Sequence, residues 1–131
     1  MKGVVFTGDR KLEINDFPDP TPGPRDVILE IKASGMCGSD LHRYRASFSP
    51  GDTSSGFKMA DEPKIAGHDP CGIVAELGTA VTNLEAQVGQ RVMDHHYEGC
   101  GSCKHCKGGW QQMCLDGTTV FGSSGHGAHA K

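Results

Sequence analysis

Four cysteines lie within one short stretch of this 131-residue chain, with the spacing C-x2-C-x2-C-x7-C. They are Cys100, Cys103, Cys106 and Cys114. Cysteines this close in sequence constrain the fold, because one small loop must bring their sulfur atoms to a common centre. Four thiolates at the corners of a tetrahedron are the ligands that structural Zn²⁺ takes. The spacing therefore predicts a closed structural zinc site with no open coordination position.

Other uses of four clustered cysteines fit this stretch less well. Bacterial ferredoxins begin with the same C-x2-C-x2-C, but their fourth cysteine follows after three residues and precedes proline. Here it follows after seven residues and precedes Leu115. A thioredoxin-like redox pair lacks the βαβ context that it needs. Disulfides are disfavoured because no secretory signal precedes them and the cytosol keeps thiols reduced. Zinc is favoured, and an iron–sulfur cluster is the main rival.

Composition and charge exclude several classes of protein. Hydrophobic residues make up 36% and charged residues 22% of the chain, as in soluble globular domains. The net charge of -3 gives no basic field for nucleic acid. We find no apolar run near the roughly 20 residues that span a bilayer, and the N-terminal apolar stretch is too short for a signal peptide. We expect one domain in the cytoplasm, without nucleic-acid or membrane partners.

Short β-type segments bounded by glycine and proline predict a mainly β domain. Residues 17–25 contain four prolines and are predicted to form an extended linker. Two of the predicted strands, residues 4–6 and 12–14, are joined as a hairpin by a turn at 7–9. The others are residues 27–34, with one solvent-exposed face, residues 72–78, and residues 90–93, which follow a turn at 88–91.

One short helix is predicted directly after Cys37. Ser39 is a suitable N-cap, and Asp40 in the first turn is favoured by the helix dipole. Residues 47–61 are polar and glycine-rich, which predicts a surface loop.

A second group of polar residues lies in the segments G-M-C-G-S-D-L-H and A-G-H-D-P-C-G. Cys37 in the first and His68 in the second are both suitable zinc ligands, and a catalytic zinc takes three protein ligands and leaves one position open. Asp40 is placed to accept the second ring N–H of His68 and so fix its tautomer. The alternative is a buried packing cysteine and an ordinary histidine, and these two fragments alone do not exclude it.

The order of these motifs resembles a known family. C-G-S-D-L-H, then G-H-D-P-C-G, then C-x2-C-x2-C-x7-C is similar to the zinc-containing alcohol dehydrogenases of the medium-chain dehydrogenase/reductase family. The segments K-G-V-V-F, P-D-P-T-P-G-P and V-G-Q-R-V fit the same pattern, so that the resemblance covers essentially the whole chain. It implies a GroES-like, partly open β-barrel with short helices and a zinc-binding loop.

The resemblance also implies roles for individual residues. Cys37 and His68 would bind the catalytic zinc, a Lewis acid that lowers the pKa of the alcohol. Ser39 would take the substrate's hydroxyl proton, and His42 would pass it to solvent through the nicotinamide ribose. Asp69 stands where the family usually has glutamate, as a nearby acid that is one methylene shorter. His96 is either a pocket-lining side chain or a half-exposed strand histidine beside His95.

The resemblance further implies parts that these 131 residues do not supply. The third catalytic ligand and the Rossmann domain that binds NAD or NADP would follow residue 131. A formal G-x-G-x-x-A match at residues 125–130 is rejected, because the fingerprint must open a helix within a βαβ unit. These residues are expected to begin a further strand of an incomplete catalytic domain, residues 1–131.

The leading hypothesis is therefore part of a zinc-dependent, NAD(P)-linked dehydrogenase of alcohols or polyols, which forms a homo-oligomer when whole. Without the third ligand and the cofactor domain, the 131-residue chain is expected to be inactive alone. It is also expected to hold the catalytic zinc weakly or not at all, unless another group such as Asp69 completes the ligand set. The alternatives are a free-standing zinc-stabilised interaction module and an iron–sulfur electron carrier.

Overall fold

The computed structural model describes residues 1–47 and 62–131, which form short strands arranged in three small sheets. The strands are β1 (Lys2–Gly8), β2 (Lys11–Asp16), β3 (Val27–Gly35), β4 (Asp69–Leu77), β5 (Arg91–Met93), β6 (Tyr97–Glu98) and β7 (Thr119–Val120). The helices are α1 (Gly38–Arg45) and α2 (Lys104–Lys107), with a 3-10 turn at Gln111–Met113. The sheets do not close on one another, so the prediction of a mainly β, partly open architecture is confirmed. The predicted surface loop lies, apart from Ser47, outside the described residues.

The N-terminal hairpin forms as predicted, but its turn lies one residue later than expected. β1 pairs antiparallel with β2, and the reversal is made by Asp9 and Arg10, with φ of 52° and 61°. Positive φ at both central residues suits the right-handed twist of a hairpin. The backbone N–H groups of Asp9 and Arg10 donate to the carbonyls of Ala46 (2.9 Å) and Tyr44 (2.8 Å). The end of α1 therefore holds this turn.

The central sheet has the strand order β3-β4-β5 and places two site segments side by side. The pairing of β3 with β4 contains two register shifts, and exposure along β3 does not alternate as predicted for residues 27–34. β4 begins at Asp69, earlier than predicted, and Asp69 pairs with Gly35 at the end of β3. The residue after His68 therefore lies beside the residues that lead into Cys37.

A small core surrounds the segment that leads into His68. Among the described residues, Ile65 and Val74 are the largest fully buried side chains, at 0% and 1% exposure. Backbone hydrogen bonds connect residues 65–67 to β1 on one side and to residues 127–129 on the other. Residues 125–130 are not helical, which agrees with the rejection of a dinucleotide fingerprint there, and the expected further strand is reduced to isolated β-bridges at Gly125 and Ala130.

Three glycines pack backbone to backbone next to His68; we call them the glycine contact, Gly67, Gly122 and Gly127. A Cβ atom on Gly122 or Gly127 would lie 2.4 or 2.1 Å from the carbonyl oxygen of Gly67. Gly67 has a φ of +87°, where a side chain is also strained. The backbone before His68 is therefore held by contacts that no larger residue permits.

We predict that Gly127→Ala destabilises the domain by about 1–3 kcal/mol, because its Cβ would overlap backbone atoms that have little freedom to move. Gly38→Ala is the control: a Cβ there meets nothing within 4 Å, and alanine favours a helix position. Urea unfolding of both variants tests the contact. Equal free energies of unfolding for the two variants would show that the glycine contact is not tight.

Candidate metal centres

The four clustered cysteines converge in the structure. Their sulfur atoms all lie within 4.8 Å of one another, and all are free thiols. With Zn–S bonds of about 2.3 Å, a tetrahedral zinc site needs sulfur atoms about 3.8 Å apart. The cluster therefore fits one metal ion bound by four sulfur ligands, and we call it the four-cysteine site: Cys100, Cys103, Cys106 and Cys114.

Local backbone geometry makes this convergence possible. Cys103 is the N-cap of α2, which carries Cys106, and Cys114 follows directly after the 3-10 turn. A Cβ on Gly99 would lie 2.6 Å from the Cys106 sulfur, so glycine is required where the loop closes. Sequence reasoning located all four cysteines but missed both of these short helical turns.

Electrostatics inside the four-cysteine site favour a bound cation. Backbone N–H groups of Cys106 and Leu115 donate to the Cys103 sulfur and lower the pKa of Cys103 to about 6. Desolvation raises the pKa of Cys106 to about 12, and neighbouring thiols add to the effect. The four sulfurs therefore do not all ionise near neutral pH by themselves. A coordinated metal ion removes this obstacle, because it deprotonates a thiol outright.

A second cluster forms where the end of β3 meets the start of β4. The Cys37 sulfur lies 3.0 Å from Nε2 of His68 and 3.0 Å from the hydroxyl of Ser39. The Ser39 hydroxyl lies 3.3 Å from Nε2 of His68, and a carboxylate oxygen of Asp69 lies 4.0 Å from the same nitrogen. The structure thus brings residues from two distant segments to one centre with soft, metal-binding atoms.

The carboxylate of Asp40 contacts both segments of this cluster. One carboxylate oxygen accepts the backbone N–H of Cys37 at 2.9 Å, and the other lies 3.4 Å from Nδ1 of His68. The side chain is 2% exposed. Ser39 was expected to be the N-cap, and this is wrong: the N-cap is Cys37, because Asp40 at the third helical position reaches back to its N–H. The hydroxyl of Ser39 is thereby left to face Cys37 and His68.

The remaining predicted site residues lie around this cluster. His42 is exposed on α1, three residues after Ser39 and so on a neighbouring part of the helix surface. The half-buried His96 packs edge-on against His68, with ring centroids 4.9 Å apart. Desolvation lowers the pKa of His96, and electrostatic repulsion by the neighbouring histidine rings lowers it further. His96 also stacks on His95, with ring centroids 5.6 Å apart, so that features of both predicted alternatives for His96 are present.

The donor set of the second cluster also fits a metal. Cys37, Asp40, His68 and Asp69 each offer a ligand atom, and these atoms lie within 4.8 Å of one another. A thiolate and an imidazole suit zinc, and Asp40 fixes the imidazole through its other nitrogen, as second-shell carboxylates do. Sequence reasoning missed one further residue near this cluster, Arg43, because a basic residue in the last turn of a helix is common and marks no site.

The fold and the two clusters can now be compared with known proteins. A family model described as the alcohol dehydrogenase GroES-like domain matches residues 23–131. The chain therefore belongs to the alcohol dehydrogenase GroES-like domain family. The resemblance to medium-chain zinc alcohol dehydrogenases and the GroES-like fold are confirmed. No helix among the described residues is long and apolar enough to cross a membrane.

Individual relatives support the same family. An uncharacterized zinc-type alcohol dehydrogenase-like protein of Escherichia coli, YphC, is 31% identical over all of this chain and 36% of its own length. An L-threonine 3-dehydrogenase of Cutibacterium acnes is 35% identical, again over 100% of this chain and 36% of the relative. The chain thus spans about a third of the length of these curated relatives.

Solved structures give the same picture. The galactitol-1-phosphate dehydrogenase of Escherichia coli superposes with a TM-score of 0.77 and 27% identity, over 99% of this chain and 34% of that one. An alcohol dehydrogenase from Thermus sp. ATN1 superposes with a TM-score of 0.76 over 98% of this chain and 35% of its own; at 23% identity it supports the fold alone.

Removing one ligand of the four-cysteine site should remove one metal ion. We predict that Cys103→Ser lowers the zinc content of the purified chain by one equivalent and lowers its Tm, because a structural zinc contributes its binding energy to folding. Cys71→Ser is the matched control, since this cysteine belongs to neither cluster. Zinc analysis and thermal unfolding measure both effects. Equal zinc content in the two variants would contradict the assignment.

We predict that Asp40→Ala lowers the free energy of unfolding by about 1–2 kcal/mol, because the cap of α1 is lost and the Cys37 N–H is left without its acceptor. Asp16→Ala is the control, because its exposed pair with Lys2 contributes little. Denaturant titration compares the two variants, and similar small losses in both would show that the carboxylate of Asp40 does not hold the helix start.

Proposed function

We propose that this chain is the catalytic domain of a zinc-dependent, NAD(P)-linked dehydrogenase that oxidises an alcohol or polyol to the carbonyl by hydride transfer. The observation that carries the proposal is the convergence of the Cys37 thiol, the His68 imidazole and the Ser39 hydroxyl within 3.3 Å of one another. Such a cluster needs two remote segments to be placed together, which packing alone does not require.

The residues of this cluster have distinct roles in the proposal. Cys37 and His68 hold a catalytic zinc, which when bound supplies a Lewis acid that lowers the pKa of an alcohol. Asp40 keeps the proton of His68 on Nδ1, so that Nε2 faces the metal. Asp69, at the rim of the cluster and half exposed, is a second acid within reach of the same position. The third protein ligand comes from residues beyond this chain.

Proton transfer is assigned to Ser39 and His42. The Ser39 hydroxyl lies beside both proposed ligands and is placed to accept the substrate's hydroxyl proton. His42 lies one turn further along α1 and is exposed, so it would deliver that proton to solvent through the nicotinamide ribose. His96 lines the same space as a polar ring whose lowered pKa favours the neutral form.

The four-cysteine site has a structural role in this proposal. Its four ligands fill a tetrahedral zinc and leave no position for a substrate. The site therefore fixes the loop between β6 and β7 and takes no part in the reaction.

We further propose that a Rossmann domain for NAD or NADP lies beyond these residues. The support is that the chain spans 36% of relatives that include an L-threonine 3-dehydrogenase, and that solved relatives in the same comparison are complexed with NADH or bound to NADP. We place the whole protein in the cytoplasm, as a homo-oligomer that acts on a small-molecule alcohol and has no nucleic-acid or membrane partner.

A zinc-stabilised interaction module is the second candidate. It is favoured by three exposed apolar side chains near the four-cysteine site, Trp110, Met113 and Leu115, which are 58%, 57% and 65% exposed. It leaves the Cys37–His68 cluster without a purpose, and for that reason we rank it second. An iron–sulfur carrier would absorb visible light, so a colourless purified protein would exclude this third candidate.

Activity of the full-length gene product tests the proposal. We predict that Cys37→Ser abolishes NAD(P)-linked alcohol oxidation, and that Ser39→Ala lowers kcat/KM by roughly 10²–10⁴-fold through loss of proton transfer. Cys71→Ser should leave activity unchanged. The 131-residue chain should show no turnover. Full activity in Cys37→Ser, or turnover by the chain alone, would contradict the proposal.

A further inference from the structure

Arg43 makes a contact that the proposed chemistry does not use. It lies on α1, one turn after Asp40, and its Nη1 donates to the backbone carbonyl of Gly122, 79 residues further along the chain. The side chain is half buried. Desolvation lowers the pKa of Arg43, while the nearby charge of Asp40 acts in the opposite direction. Placing a guanidinium here costs free energy unless it is hydrogen-bonded, and the hydrogen bond to Gly122 offsets part of that cost. The position of the arginine still requires an explanation.

The segment that receives this bond also contacts the other parts of the second cluster. We call residues 120–129 the support segment. The backbone N–H of Phe121 donates to the carbonyl of His96 at 3.0 Å, and that of Ala128 donates to the carbonyl of Gly67 at 3.0 Å. Gly122 itself belongs to the glycine contact with Gly67. One short segment therefore supports the residue before His68 and the backbone of His96.

Arg43 connects α1 to this support segment. Asp40 reaches His68 directly from the first turn of the helix, whereas Arg43 reaches Gly122 from the next turn. The far end of α1 is held separately, by the hydrogen bonds from the turn at Asp9 and Arg10 to its last carbonyls. Arg43 adds the connection between the middle of the helix and the support segment, and losing it leaves the helix freer to tilt. The start of α1 carries Cys37, so its tilt sets where the Cys37 sulfur lies relative to Nε2 of His68.

We propose that Arg43 is a positioning residue: by fixing α1 to the support segment, it holds the Cys37 sulfur and Nε2 of His68 at the spacing that a shared metal ion needs. This inference rests on the proposed function, since that function makes the spacing matter. Arg43 touches neither metal nor substrate and acts through the placement of the helix.

The test compares variants of the full-length gene product for metal binding and variants of the 131-residue chain for nuclear magnetic resonance. Arg43→Met removes the donor and keeps the side chain's bulk, and Arg43→Lys keeps a charged donor one atom shorter. Arg45→Met is the matched control, an exposed arginine on the same helix. The four-cysteine site is first loaded with Zn²⁺, and Co²⁺ is then titrated into the Cys37–His68 centre and followed by its visible absorption. The ¹⁵N resonances of the His68 ring, recorded without Co²⁺, give a readout that is independent of metal.

We expect Arg43→Met to weaken Co²⁺ binding about 10–100-fold, the range found when partners outside the ligand set are lost. It should also shift the His68 ring resonances. Arg43→Lys should recover most of both effects, and Arg45→Met should match the unaltered chain. A purely structural role predicts lower stability in Arg43→Met with unchanged ring resonances, and that result would overturn the proposal. Equal effects of Arg43→Met and Arg45→Met would overturn it too.

A second variant covers the case in which Arg43→Met does not fold. Arg43→Gln stays polar but is two atoms shorter and does not reach Gly122, so it should displace the His68 ring resonances; unchanged resonances would overturn the proposal. Failure of the proposed function looks different. In that case the unaltered full-length product binds no Co²⁺ at this centre and oxidises no alcohol, while the ring resonances of the 131-residue chain still decide the role of Arg43.

Discussion

The carboxylate of Asp40 is the contact on which the second cluster depends. One oxygen accepts the backbone N–H of Cys37, which would otherwise be unpaired at the start of α1, and the other faces Nδ1 of His68. A buried carboxylate is costly unless its lone pairs are used, and here two different segments use them. The same group therefore determines where a helix begins and which ring nitrogen of His68 is free to bind. Local structure and site chemistry are coupled through one side chain.

The two clusters differ in how far sequence reasoning reached, and the reason is physical. The four-cysteine site is local, since its ligands span 15 consecutive positions, so spacing alone indicated a common centre. The second cluster joins residues 31 positions apart. Its chemistry was suggested by residue types and by family resemblance, while the contact itself depends on the pairing of β3 with β4. The contact between Arg43 and Gly122 could not be predicted, because neither an arginine in the last turn of a helix nor an isolated glycine carries a distinctive pattern.

The fold was predictable to a similar degree. The positions of glycine and proline located the hairpin and the central strands. The errors fall where a distant contact decides the local conformation. The turn at Asp9 and Arg10 is fixed by carbonyls of α1, and the first residues of β4 are paired by the end of β3. Register shifts in the pairing of β3 with β4 accompany the loss of the alternation that a single solvent-exposed face of β3 required. Propensity describes a segment alone and contains no information about such partners.

The pairing of the two ends of the chain has a consequence for how the domain assembles. Lys2 and Lys131 exchange backbone hydrogen bonds of 2.7 and 2.8 Å, and His129 donates to Ala66 in the segment before His68. During synthesis the N-terminal strand therefore emerges long before its partner. Contacts of such sequence separation slow folding, because a large loop must close before they contribute. The four-cysteine loop closes over a much shorter distance, so its metal ion is able to bind on the nascent chain while the second centre is still incomplete.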